Sequence, residues 1–199
     1  MKVIGITGGI GSGKSTVMDI LAKRHGVKLI VADSLGHKAM EKGCATYLRM
    51  IEEFGDDILS DTGEIDRRKL SGILFSDDIK LQAQNSIVHP YVRKEIEKQL
   101  DMWENSGEKI AAVESAILVE AGCSDRCDEI WFVTAKTELR INRLTESRGY
   151  TEKTARDFIS RQKSDEEYIK SCDRIIYNDG DIKNLYKQLE KSVEQLMCM

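Results

Sequence analysis

Near its start the chain reads Gly8-Gly9-Ile10-Gly11-Ser12-Gly13-Lys14-Ser15, which fits the spacing G-x-x-x-x-G-K-[ST] of a phosphate-binding loop. No other stretch constrains the fold so tightly. Glycines let backbone N–H groups turn toward a polyphosphate with no Cβ in the way. Lys14 reaches the β- and γ-phosphates, and the Ser15 hydroxyl can ligate Mg²⁺. The helix that follows aims its N-terminus at the anion. The loop therefore needs a strand before it and a helix after it. Both are legible: 2–7 is a short apolar, β-branched run, and 15–24 has a helical pattern. The alternative, a glycine-rich turn without ligand, does not require that context.

At 199 residues the chain can form one well-packed domain, with room for a small subdomain. Its net charge of −4 gives no support to nucleic-acid or anionic-membrane binding through bulk charge. No apolar run approaches the roughly 18 residues of a membrane span. The N-terminus reads as strand and loop, not as a signal peptide, and both points predict a cytoplasmic protein. Cys44, Cys123, Cys127, Cys172 and Cys198 are odd in number and lack paired spacing, so they read as reduced structural thiols rather than a zinc set or a disulfide framework.

Strand candidates lie at 2–7, 28–32, 109–114, 129–134 and 174–178, mostly without clean alternation, as in a parallel sheet buried on both faces. Helical stretches alternate with them, which predicts α/β architecture. One interval breaks the alternation. Residues 34–107 read as helices at 34–42, 45–54, 66–75, 78–87 and 91–105, with His89-Pro90 closing one helix and opening the next. A helical substrate-binding insert is the reading for about 34–107. A second, arginine-rich excursion at about 137–167 reads as an exposed helical lid. The last helix, 181–197, places Ile182, Leu185, Leu189, Val193 and Leu196 at helical spacing for packing on the sheet. The predicted fold is a P-loop NTPase three-layer α/β domain spanning 1–199, with a mostly parallel five-stranded sheet, the insert and the lid.

Asp33 follows the second strand candidate. If that strand neighbours the first, ligands at the carboxyl ends of the strands put Asp33 beside the transferred phosphoryl group. There a carboxylate can accept a proton or help hold Mg²⁺; as a favoured cap residue it can equally cap the helix at 34–42. Glu114 ends the third strand candidate, where a Walker-B carboxylate acts on Mg²⁺ through water; ordinary loop acidity is the alternative, and the stronger one for Glu120. Arg140, Arg143, Arg148, Arg156 and Arg161 supply a phosphate-facing group or two among residues on a solvated face. His89 contacts a ligand or simply caps or packs. Asp33-Ser34-Leu35-Gly36 matches a GTPase motif by chance, since the guanine-reading N-K-x-D is absent.

Taken in order, several segments resemble the dephospho-CoA kinase family over nearly the full length. They are 6–16 around the loop, Ala32-Asp33, Phe54-Gly55, 57–59, 63–67 with Leu70, 87–90 ending in His89-Pro90, 114–122, Arg143, Gln162, and Ile176-Tyr177-Asn178. The resemblance implies transfer of the γ-phosphate of ATP to the ribose 3′-hydroxyl of dephospho-CoA. It implies Asp33 as base or orienting group, with Lys14 and Arg143 as the other catalytic residues. ATP would be bound by Gly9, Ile10, Gly11, Ser12, Gly13, Lys14, Ser15 and Thr16, with Asn178 near the adenine. The second substrate would meet Asp33, His89 and Arg67, and Mg²⁺ would meet Ser15 directly and Glu114 through water. The chain departs from the family pattern at Val31, where aspartate is common, at Ser115-Ala116-Ile117-Leu118, where a proline often precedes a Leu-Leu pair, and at Ser147, where a second lid arginine often stands; Arg148 follows one residue later. A kinase for another small metabolite, a regulatory NTPase and an inactive binding module are the rival readings.

Overall fold

Val3, Ile4, Ile6 and Thr7 are all under 5% exposed, so the first strand is buried on both faces, as a central parallel strand must be. It forms β1 (Lys2–Thr7), followed by α1 (Lys14–His25), β2 (Lys28–Val31), α2 (Ala32–Ala39), α3 (Ala45–Phe54), a 3₁₀ turn (Asp56–Ile58), α4 (Arg67–Ser76) and α5 (Asp78–Asn105). Then come β3 (Ile110–Glu114), β4 (Glu129–Thr134), α6 (Thr137–Arg148), α7 (Glu152–Ser160), α8 (Asp165–Ile169), β5 (Arg174–Tyr177) and α9 (Ile182–Cys198). The structure, a computed structural model, describes residues 1–118 and 121–198, the Ser76 side chain excepted. Glu120 lies outside the described residues.

The sheet order is β2-β3-β1-β4-β5. β1 pairs in parallel with β3 (Ile6 opposite Glu114) and with β4 (Thr7 opposite Phe132), and β4 pairs in parallel with β5 (Thr134 opposite Tyr177). One face is covered by α1 through Val17, Met18, Ile20 and Leu21, and by α9 through Leu185, Leu189, Val193 and Leu196, all packed with Ile4, Ile6, Trp131, Val133 and Ile176. Each such side chain contributes roughly 1.5–3 kcal/mol when buried. The other face presents Phe132, stacked on Tyr168 of α8 with ring centroids 4.8 Å apart. Ile182, expected on the core stripe of the last helix, is instead 43% exposed: it is the first residue of α9 and lies before the stripe turns onto the sheet. Along the outer strand, Gln188 of α9 accepts a hydrogen bond from the Tyr177 N–H (3.1 Å) and donates one to the Tyr177 carbonyl (3.0 Å).

At the start of β4 and β5, a charged clip joins the two strands to α9. The buried Glu129 carboxylate accepts from Trp131 Nε1 (2.6 Å) and from Arg174 Nε (3.1 Å) and Nη2 (3.0 Å), while Arg174 Nη1 reaches Gln195 Oε1. Burial raises the Glu129 pKa, but the hydrogen bonds from Arg174 and Trp131 and the Arg174 charge outweigh it, and the net shift is downward.

The chain divides into two compact units, 1–30 with 100–199, and 31–99. Within 31–99 the helices bury Tyr47, Met50, Ile58, Leu70, Ile87, Val88, Val92 and Ile96. Tyr47 donates its hydroxyl proton to the Gly63 carbonyl, and Asp66 caps α4 by accepting from Arg68 N at 2.8 Å. The expected break at His89-Pro90 is absent: α5 runs unbroken through Pro90 for 28 residues. Proline inside a helix costs about 3 kcal/mol, but Val88, Val92, Ile96 and Leu100 repeat every fourth residue past it and are all buried. That stripe outweighs the lost hydrogen bond.

Candidate active site

Beyond the carboxyl end of β1 the chain turns through residues 8–13 into α1. Gly11 (φ 75°) and Gly13 (φ 92°) have left-handed backbone that an L side chain rarely adopts. Gly13 stands at the N-cap of α1 and supplies no side-chain cap to that helix end, where the positive end of the helix dipole favours an anion. Ser15 and Thr16 are exposed at this end. Lys14 folds back over the loop. Its Nζ donates to the Gly8 carbonyl at 2.9 Å and lies 3.6 Å from Glu114 Oε1, both side chains being mostly buried. Ser12 Oγ is buried and has no hydrogen-bond partner among the described residues, as expected of a group that meets an acceptor from outside the chain.

Glu114 owes its place to the strand order. A place for Asp33 next to the loop by strand adjacency requires β2 to neighbour β1, but β3 does, and its last residue, Glu114, stands opposite Ile6. Asp33 is not the helix cap. Val31 occupies the N-cap of α2, and Asp33 is exposed in the first turn, where a carboxylate complements the dipole. Asp33, Arg67 and His89 all belong to the 31–99 unit. There Arg67 is exposed at the start of α4, and His89 is half-buried in mid-α5, its pKa lowered by burial and then by the charge of Arg93.

The arginine-rich excursion is not a solvated face throughout. Ile141, Leu144 and Ala155 are buried and pack with Tyr150, Ile159 and the loop residue Ile10. Arg143 donates Nη1 to the carbonyls of Gly11 and Ser12 (both 3.2 Å) and Nη2 to the carbonyl of Asn178 (2.8 Å). Asn178, buried just past β5, donates Nδ2 to the Ser12 carbonyl at 2.9 Å, so its amide is engaged with the loop. Arg140, 7% exposed, donates Nε to the Ile10 carbonyl at 2.9 Å. Burial lowers its pKa, opposed by Asp165 and Tyr168, and the guanidinium remains a cation. Arg148 is exposed. Arg156 is exposed and pairs with Glu152 (2.8 Å) and Glu138 (3.1 Å).

Two residues that the sequence offered only within a group take more specific places in the structure. Arg140 looks like its neighbours in the sequence, and only its contact with Ile10 sets it apart. Ser12 was expected only as one of the loop residues that bind ATP, and it holds the orphaned hydroxyl.

Comparison with known proteins agrees with this geometry. Residues 2–184 match the family model for dephospho-CoA kinase. The dephospho-CoA kinase of Lactobacillus johnsonii is 35% identical over 193 residues, 97% of each chain. That of Bacillus licheniformis is 36% identical over 192 residues, 96% of this chain and 95% of the relative. A crystal structure from Thermus thermophilus superposes with a TM-score of 0.84 at 29% identity, covering 98% of this chain and 96% of that one. A loop of this shape on a parallel sheet, with similarity running almost end to end, leads to one conclusion: the chain belongs to the dephospho-CoA kinase family.

Proposed function

We propose that this chain transfers the γ-phosphoryl group of ATP to the 3′-hydroxyl of dephospho-CoA, giving coenzyme A and ADP in the last step of coenzyme A synthesis. The observation that carries the reading is the preformed phosphate loop, with Lys14 tied to the Gly8 carbonyl and the N-terminus of α1 behind it. The family match supports the acceptor.

In this reading the N–H groups from Gly11 to Thr16 bind the ATP phosphates. Lys14 exchanges its loop carbonyls for the β- and γ-phosphate oxygens, where its charge counts more as negative charge develops. Gly9 and Ile10 shape the loop. Asn178 and Arg143 brace it from outside, and Arg143 meets the moving phosphoryl charge only by leaving its loop carbonyls. The 31–99 unit, with Arg67 and His89, holds dephospho-CoA. Asp33 orients the 3′-hydroxyl and accepts its proton. The 137–167 segment is the lid, which excludes water once both substrates are in place.

Ser15 and Glu114 fit a magnesium ion. Among the described residues no group of three or more His, Cys, Asp or Glu side chains could hold a metal alone, and Mg²⁺ in nucleotide sites relies on few protein ligands plus phosphate oxygens and water. When bound, the ion supplies charge neutralisation across the phosphates.

The test is ADP release from ATP and Mg²⁺ with and without dephospho-CoA, with the product weighed by mass spectrometry. Strong stimulation and an acceptor heavier by one phosphate are expected. Protein that binds ATP but leaves dephospho-CoA unchanged refutes the substrate. Asp33→Asn should reduce turnover by about 10²-fold or more, the usual weight of a general base, with ATP affinity retained; near-normal turnover removes Asp33 from that role.

A further inference from the structure

The backbone N–H and C=O of Ile10 are both taken, and both partners come from the lid segment. Gln162, just past α7, accepts from Ile10 N at 2.8 Å. Arg140 of α6 donates Nε to Ile10 O at 2.9 Å and Nη2 to the same Gln162 oxygen at 3.2 Å. The three groups close a ring. Behind it, Asp165 lies 3.9 Å from Arg140 Nη1 and accepts from Thr134 Oγ1 at 2.6 Å, which ties the ring to the end of β4. Gly9 shows how closely the ring fits. Its φ is not positive, so backbone freedom does not require glycine there. A Cβ at that position would collide with Arg140 Nη2 and lie 2.9 Å from Gln162 Oε1.

We propose that Arg140 and Gln162 are positioning residues of the phosphate loop: by holding Ile10 outward at both polar groups they keep the N–H groups from Gly11 onward aimed at the phosphates. The base of the lid is then part of the loop's scaffold. This inference rests on the loop being the ATP site, but not on the identity of the acceptor.

The test measures ATP affinity by calorimetry, thermal stability, and KM for ATP against kcat. Gln162→Met keeps length and removes the acceptor; Arg140→Lys keeps charge and removes the fork. Each should weaken ATP about five- to fifteen-fold, the factor expected for a lost hydrogen bond of this kind, with kcat at saturating ATP within about threefold. Gln162→Glu, which restores an acceptor, should recover most of the affinity. Gly9→Ala should weaken ATP in the wild-type background and add little in Gln162→Met, because both changes open the same ring. Wild-type ATP affinity in Gln162→Met and Arg140→Lys, or an affinity loss that follows thermal stability and is not rescued by Gln162→Glu, overturns the proposal. Wild-type protein that binds ATP but does not phosphorylate dephospho-CoA refutes the acceptor alone. Failure to bind ATP refutes both.

Discussion

Asn178→Ala isolates one strut of the loop. The substitution leaves the main-chain bonds intact, from Asn178 N to the Thr134 carbonyl and from Arg143 to the Asn178 carbonyl. What disappears is the 2.9 Å bond to the Ser12 carbonyl and a marginal 3.4 Å contact from Arg143 to Oδ1. One sound buried hydrogen bond is worth about 1 kcal/mol, and truncating a side chain that is only 8% exposed adds about as much again through the space left behind. A total near 2 kcal/mol lowers the melting temperature by about 4–8 °C for a chain of this size. Among the described residues the Ser12 carbonyl keeps only its 3.2 Å bond from Arg143, so the loop leaves its binding shape more often, and ATP affinity falls by the fraction of molecules that do. KM for ATP should therefore rise by a factor between about 5 and 30, the upper bound being the full 2 kcal/mol, while kcat at saturating ATP changes little. Asn178→Asp, which sets an acceptor against the Ser12 carbonyl, should be no better. Differential scanning fluorimetry and initial rates over a range of ATP concentrations give both quantities. If the melting temperature falls as calculated and KM stays within twofold, Asn178 merely secures the end of β5 and does not shape the loop.

Other consequences can be tested in parallel. Lys14→Met should lower kcat by about 10²-fold or more, since its charge acts most strongly on the transition state, and single-turnover kinetics showing an unimpaired chemical step would contradict this. Arg174→Met strands the Glu129 carboxylate, whose side chain is 7% exposed, with Trp131 as its remaining hydrogen-bond donor; denaturant unfolding at neutral pH should show a loss of about 3 kcal/mol or more. The folded-state pKa of Glu129 is lowered, so in the wild type its contribution is complete above the unfolded carboxylate range and is lost as pH falls through the folded value. In Arg174→Met the deficit should shrink on acidification; a deficit independent of pH would exclude the charge argument. Pro90→Ala restores a backbone donor in mid-α5 at an exposed position and should stabilise the protein by about 1–3 kcal/mol; an unchanged or lower melting temperature would mean the helix had already adjusted to its proline.

What could be read in advance follows from how local each determinant is. The strands were visible because a doubly buried strand must be apolar nearly throughout, as Val3 to Ile6 are. The loop was visible because its backbone geometry admits few sequences. Pro90 misled because a local rule was set against a stripe of buried residues whose value arises only in the folded chain. The adjacency assumed for Asp33 was a statement about strand order, and order is decided by long-range pairing that no single segment encodes. Arg140 and Glu129 were hidden for a related reason. Each is a charged residue made affordable in the interior by partners 22 to 130 residues away, and charge patterning along the chain cannot distinguish them from the exposed Arg148.

The side chain of Gln188 has a wider consequence. A terminal strand offers every second N–H and C=O to the outside, and a foreign segment can dock there and continue the sheet from molecule to molecule. At Tyr177 both of those groups are already satisfied by one primary amide, which imitates the peptide of a sixth strand. A helix that packs on the core thus also blocks the β5 edge at Tyr177, and replacing Gln188 would return that N–H and carbonyl to the outside in an enzyme whose working residues are left untouched.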